Sequence, residues 1–261
     1  ILDKVEWSFS TLHMYEQCPF AMYLKKICRI SGDNNAYAEI GSAGHFWNEK
    51  IFKKEMTVQE ALDDCIENFD NLVCEYISDS SKDKKFEAMC DYLASFDETF
   101  KDRYEIIGVE KEFHWKIGRH KCVGYADLIL KDRDNGKVLL IDHKSAGHFM
   151  KKNGTPLKNQ EANFAAYSHQ MYMYADAMMK EYGFFPDFIV WNHFLDNGQT
   201  TVIPFNNEDY ENTLVWVKNT IKKIYSDSKF EPGEEDYTMC NMLCNYRNDC
   251  EYKELRKLED E

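Results

Sequence analysis

Residues 121–144 read KCVGYADLILKDRDNGKVLLIDHK, and the fold class turns on this stretch. Val138-Leu139-Leu140-Ile141 is an unbroken apolar run, the pattern of a central strand covered on both faces. Lys121–Leu130 and Lys137–Ile141 read as strands, with Asp132-Arg133-Asp134-Asn135-Gly136 between them. Asn-Gly is the strongest short hairpin signal. Period-two alternation puts Val123, Tyr125, Asp127 and Ile129 on one face of the first strand. It puts Asp142 and Lys144 on a common face of the second. A turn on Asn135-Gly136 pairs Asp134 with Lys137, sets Asp127 opposite Lys144 and leaves Asp142 one diagonal away. All three side chains then share one side of the sheet, and a slip of one residue would separate them.

Working outward, Ile106–Trp115 reads as a strand before this hairpin, and residues 187–194 and 200–205 as strands after it. Helices are expected over residues 37–54, 58–78, 84–103, 161–182 and 207–226, each with apolar residues at helical spacing. Near the N-terminus, Leu12, Tyr15, Phe20, Tyr23 and Leu24 form an amphipathic segment. Ser10 is its candidate N-cap, and Pro19 kinks it or begins a second helix. The order of helices, three strands, helix, two strands, helix predicts an α/β domain with a central mixed sheet flanked by helices. One domain over residues 1–261 is expected, with a helical N-terminal region and residues 55–103 as a helical insertion or cap.

Composition narrows the class. Of 261 residues, 44% are hydrophobic and 15% aromatic, enough for a sizeable core. Membrane-length apolar runs are lacking, and Asp3, Lys4 and Glu6 precede any apolar stretch, so neither a membrane span nor a secretory signal is expected. Nine cysteines, among them Cys28, Cys65, Cys74, Cys90 and Cys122 in apolar or helical surroundings, suit a reducing cytoplasm. The net charge of −14 is unusual for a protein that handles nucleic acid. A local basic groove could come from Lys25, Lys26 and Arg29, or from Lys151, Lys152 and Lys158.

The hairpin carries the chemistry. Two carboxylates and an ammonium converging at a strand end offer hard oxygen ligands for Mg²⁺ or Mn²⁺. They also offer a cation for charge growing on phosphorus. An Asp-x-Lys tripeptide alone is common in solvated turns; the apolar run directly before Asp142 sets this one apart.

An ordered set of motifs then becomes specific. Ser8-x-Ser10-x-Leu12-x-x-Tyr15-x-x-Cys18-Pro19 is followed by Gly41-x-x-x-His45, Glu110-x-x-Phe113 and Gly124-x-x-Asp127. Ile141-Asp142-x-Lys144-Ser145 and Gln170-x-x-x-Tyr174 complete it. The chain thus resembles the PD-(D/E)XK nuclease superfamily, in particular the RecB-like branch with the CRISPR adaptation nuclease and phage exonucleases. Ala126 stands where the superfamily's name expects proline, a residue often absent in this branch. The resemblance implies a restriction-endonuclease-like core and a metal-dependent deoxyribonuclease, with exonuclease action on single- or double-stranded DNA ends. It implies work beside recombination, repair, phage or CRISPR adaptation proteins. A non-catalytic DNA-binding scaffold that keeps the fold is the rival reading.

By the same resemblance, His45, Asp127, Asp142 and the His143 carbonyl would hold the divalent ion, and Lys144 would act with Asp127 and Asp142 in catalysis. Glu110 would be an additional acidic residue, although Glu112 and His114 share its face and Glu112 competes for the role. Gln170 and Tyr174, neighbours on one helix face, would lie beside the scissile phosphate. Cys18, Cys240, Cys244 and Cys250 would hold a [4Fe–4S] cluster stapling the chain termini. The Cys240–Cys244 interval is one residue longer than usual for this branch. Zinc on the same thiolates and free thiols in a reduced protein are the alternatives.

Overall fold

The computed structural model describes residues 2–151, 154–233 and 239–252. The chain divides into two compact units, one comprising Ala36–Phe113 and Gly124–Tyr210, the other Ile1–Asn35, His114–Val123 and Glu211–Glu261.

A five-stranded sheet carries the fold, in the order β1 (Tyr104–Ile117), β2 (His120–Asp132), β3 (Val138–Lys144), β4 (Phe188–His193), β5 (Gln199–Pro204). β2 and β3 are antiparallel, β3 and β4 parallel, and β4 and β5 antiparallel, so the sheet is mixed. The parallel step needs a crossover, and the 22-residue helix between β3 and β4, α7 (Glu161–Tyr182), supplies it. Leu128, Leu130, Ile141 and Val190 form a buried cluster with Phe52 on one face of the sheet.

The β2–β3 register differs from the expected one by two residues. Leu128 pairs with Ile141 and Lys131 with Val138, and the Asp132 amide donates to the Lys137 carbonyl at 2.8 Å. The loop is therefore Arg133–Gly136 and not Asn135-Gly136 alone. The Asp132 carboxylate explains this: it accepts the amides of Asp134 and Asn135, fixing the chain reversal earlier than the dipeptide suggests. Gly136 takes φ +74°, which suits glycine. An even shift preserves the faces, so Asp127, Asp142 and Lys144 stay on one side. One step beyond the paired residues, Asp127 comes opposite Asp142, with Lys144 on the diagonal.

In the same unit, α3 (Ala36–Phe52) buries Ile40, Ala43, Gly44, Trp47, Asn48 and Ile51, a single helical stripe. It packs with α4 (Val58–Leu72) and α5 (Asp79–Ala94) in a cluster that includes Phe69, Met89, Leu93 and Phe194. Thr57 and Glu60 form a reciprocal capping box that starts α4. α4, α5 and the short α6 (Phe100–Arg103) fall within residues 55–103, the segment read from sequence as an insertion or cap.

In the other unit, Ser8 caps α1 (Phe9–Gln17): its Oγ accepts the Thr11 amide at 3.2 Å. The helix thus begins ahead of Ser10, with Phe9 already buried inside it. Pro19 occupies the first turn of α2 (Pro19–Tyr23), where its missing N–H costs nothing. The last long helix, α8, spans Asn207–Ser226. Among the described residues, no helix is long and apolar enough to cross a membrane.

Candidate active site

The strand pair and α7 assemble the first half of the site. Asp142 is buried, and the Lys144 ammonium lies 2.7 Å from its Oδ2. A carboxylate oxygen carries more than one lone pair, so the ammonium does not exhaust its capacity to bind a cation. Gln170, from α7, ties the pair together: its Oε1 accepts from Lys144 Nζ at 3.1 Å, and its Nε2 donates to Asp142 Oδ1 at 3.1 Å. The same Nε2 lies 3.2 Å from the Tyr174 hydroxyl. Burial works against the Lys144 charge, but Asp142 carries its pKa above the usual lysine value.

The second half comes from α3 and β1. One ligand atom each from His45, Glu110 and Asp127 lie within 4.8 Å of one another. His45 Nδ1 is 3.5 Å from Asp127 Oδ2 and 3.8 Å from Glu110 Oε1. Asp127 Oδ2 also accepts the His143 amide at 2.7 Å, which locks it to the catalytic strand. Glu110 reaches this place through backbone strain, since it sits in the left-handed region at φ +47° in the middle of β1. Glu112 instead accepts from the exposed Tyr125 hydroxyl at 2.6 Å and stands apart from the trio.

The electrostatics of this half show a shortage of positive charge. Burial alone would lower the His45 pKa, yet Glu110, Asp127 and Asp142 hold it up at about 9. Burial, with Asp142 beside it, raises the Asp127 carboxyl. The raised imidazole favours its charged form, whereas the raised carboxyl favours its neutral form. Both trace to crowded carboxylates, which a divalent cation would relieve. The donor set of one imidazole and several carboxylate oxygens therefore fits Mg²⁺ or Mn²⁺.

The His143 side chain points to the opposite face, stacked near Phe52 and held by Asn192. Burial keeps its imidazole neutral. A groove of about 460 Å³ passes His45 and Glu110, lined also by Tyr37, Phe46, Glu49 and Ser145. Tyr167, which helical spacing places on the apolar stripe of α7 and not in the site, completes the lysine's setting: the Lys144 ammonium sits 4.2 Å from the centre of its ring. Its spacing from Gln170, Met171 and Tyr174 on α7 was the available signal.

The four cysteines lie together in the other unit. Cys18, Cys240, Cys244 and Cys250 line one cavity of about 190 Å³ walled by Met14, Phe20, Leu24 and Tyr246. Among the described residues, no disulfide joins any of the cysteines. Burial raises the Cys244 thiol pKa, and Cys18, Cys250 and Cys240 add to the rise. Lys25 and Lys26 belong to a π-helical turn, Leu24–Cys28, and Lys158 to a short 3₁₀ turn. Lys152, named above in the basic loop, lies outside the described residues.

A mixed sheet whose central hairpin presents two carboxylates and a lysine beneath a flanking helix is the plan of a restriction-endonuclease-like nuclease. The chain belongs to the PD-(D/E)XK nuclease superfamily, whose family model matches residues 6–254. The crystal structure of a protein from Eubacterium rectale, provisionally named an exonuclease, is similar over 99% of this chain and 91% of its own. The TM-score is 0.56 and the identity 15%, a likeness of fold. A looser match, the crystal structure of SSO0001, covers 76% of this chain and 98% of its own at TM-score 0.30 and 13% identity. No curated protein matches the sequence.

Proposed function

We propose that this chain is a divalent-metal-dependent deoxyribonuclease that acts on DNA ends, with His45, Asp127, Asp142 and the His143 carbonyl holding the ion. The carrying observation is the trio of His45, Glu110 and Asp127 ligand atoms within 4.8 Å, next to the buried Asp142 carboxylate paired with Lys144. When bound, the ion polarises the phosphoryl group and makes an attacking water more acidic. Lys144, pinned by Asp142 and Gln170 and covered by Tyr167, places its charge where negative charge grows on phosphorus. Gln170 and Tyr174 hold that lysine and Asp142 in register. An imidazole ligand favours Mn²⁺ over Mg²⁺. The exposed Tyr37 and Phe46 rings beside the groove offer stacking faces for unpaired bases, which favours single-stranded ends. With a net charge of −14, DNA binding is weak and salt-sensitive without divalent ion.

The cysteine cavity fits a [4Fe–4S] cluster, which we include in this reading. Four thiols facing one apolar space match its ligand set.

The test uses protein purified without oxygen and end-labelled single- and double-stranded DNA, with Mn²⁺ or Mg²⁺. Wild type cuts; Lys144→Ala and Asp142→Ala lose at least about a hundredfold in rate. Equal DNA binding by all three proteins with cleavage by none would leave a scaffold and end the enzymatic reading.

A further inference from the structure

A buried chain of hydrogen bonds runs behind the site, from the helix that carries His45 to the strand that carries Asp142 and Lys144. Asn48 Nδ2 donates to the Gly44 carbonyl at 2.8 Å. The Tyr92 hydroxyl donates to Asn48 Oδ1 at 2.5 Å. Asn192 Nδ2 donates to the Tyr92 oxygen at 2.9 Å and lies 2.9 Å from His143 Nδ1. An amide nitrogen can only donate, so His143 Nδ1 accepts and its ring proton sits on Nε2. Donation runs outward from the Asn192 amide, through Tyr92 and Asn48 to the Gly44 carbonyl on one side and to His143 on the other.

The ends of this chain are telling. Gly44 immediately precedes His45, and His143 lies between Asp142 and Lys144. The helix is also seated closely: a Cβ on Gly44 would come within 2.3 Å of the Phe194 ring. That ring lies 5.9 Å from Tyr92 and 6.2 Å from His45, centre to centre. Asn48 is fully buried and Tyr92 nearly so. Tyr92 belongs to α5, in the segment that sequence patterning marks as an accessory insertion.

We propose that Asn48, Tyr92 and Asn192 are positioning residues that set the distance between His45 and the carboxylates of the strand pair. The α4–α5 segment is on this view part of the metal site's scaffold. Bulk packing could hold α3 near the sheet, but apolar contacts permit small slides. Directional bonds at four successive links do not. Ligand geometry must hold to within a few tenths of an ångström for tight ion binding.

The inference rests on reading the site as a divalent-metal centre, and the test separates the two. Mn²⁺ is titrated into the whole protein, and free ion is followed by its EPR signal. Thermal melting without metal is measured in parallel. Tyr92→Phe keeps the ring and removes two links; Asn192→Ser shortens the link to His143. Both variants are expected to bind Mn²⁺ at least fivefold more weakly than wild type. The double change Asn48→Leu with Tyr92→Phe removes both partners of the shortest bond, which recovers melting temperature but not affinity. Affinity within twofold of wild type in the folded single variants would overturn the inference. So would affinity that follows melting temperature and returns in the double variant, because that marks a merely structural role. Wild type that binds no Mn²⁺ would remove the metal reading itself.

Discussion

At Glu110 the backbone and the chemistry pull in opposite directions. A non-glycine residue at φ +47° is strained by roughly 1 kcal/mol, and its carboxylate faces the His45–Asp127 pair. Asparagine tolerates this conformation better than glutamate. Glu110→Asn should therefore raise the melting temperature while weakening Mn²⁺ binding, as melting curves and a metal titration would show. A joint fall in both would mean that Glu110 matters chiefly for folding. Tyr167 gives a second residue-level prediction. A cation over an aromatic face is worth about 0.5–2 kcal/mol, so Tyr167→Leu should slow cleavage by roughly two- to thirtyfold while Tyr167→Phe stays near wild type. Equal losses in both would assign the effect to the hydroxyl. These residues also mark what the sequence could not resolve. Period-two alternation cannot choose between Glu110 and Glu112, because both fall on one face and only position along the strand sets one beside Asp127 and the other beside Tyr125. Asp142 and Lys144 were legible because a buried apolar run leads straight into them.

Among the elements, the β2–β3 hairpin is where sequence and structure part most clearly. The dipeptide Asn135-Gly136 points to a tight turn, but Asp132 captures two loop amides and Arg103 holds its carboxylate at 3.1 Å. Burial works to raise the Asp132 carboxyl, yet those hydrogen bonds keep its pKa below the ordinary value. Stability from such a group is complete above its unfolded pKa, about 3.9, and is lost as pH falls through the lower folded value. Asp132→Asn should lower the melting temperature at pH 7, with the gap to wild type closing below about pH 4. A gap that persisted at pH 3 would show that charge is irrelevant there. The faces of both strands were readable, since a shift of two residues leaves them unchanged; the register was not, because a side chain set it. Helix docking offers another check at this scale. Gly44→Ala would drive a methyl group into Phe194 and should cost about 1–3 kcal/mol in a denaturant titration. A neutral result would show that α3 can move on the sheet.

For the molecule as a whole, the strand and helix order follows from local periodicity. The grouping of residues 1–35, 114–123 and 211–261 into one unit does not, because it depends on closing long loops that leave no local trace. The cysteine positions were the one long-range signal, and Cys18 and Cys244 do face a common cavity. A crosslink over so long a loop is worth several kcal/mol, about 5 in the chain-entropy limit. Protein purified without oxygen should carry iron and broad visible absorbance, and Cys18→Ser should lose both along with melting temperature. A colourless wild type containing zinc would replace the cluster with a different staple. The metal site itself is tested most directly by anomalous diffraction from crystals soaked in Mn²⁺. One manganese peak is expected within about 2.2 Å of His45, Asp127 and Asp142 ligand atoms. A protein that cuts DNA with manganese bound elsewhere, or with none at these three residues, would contradict the assignment.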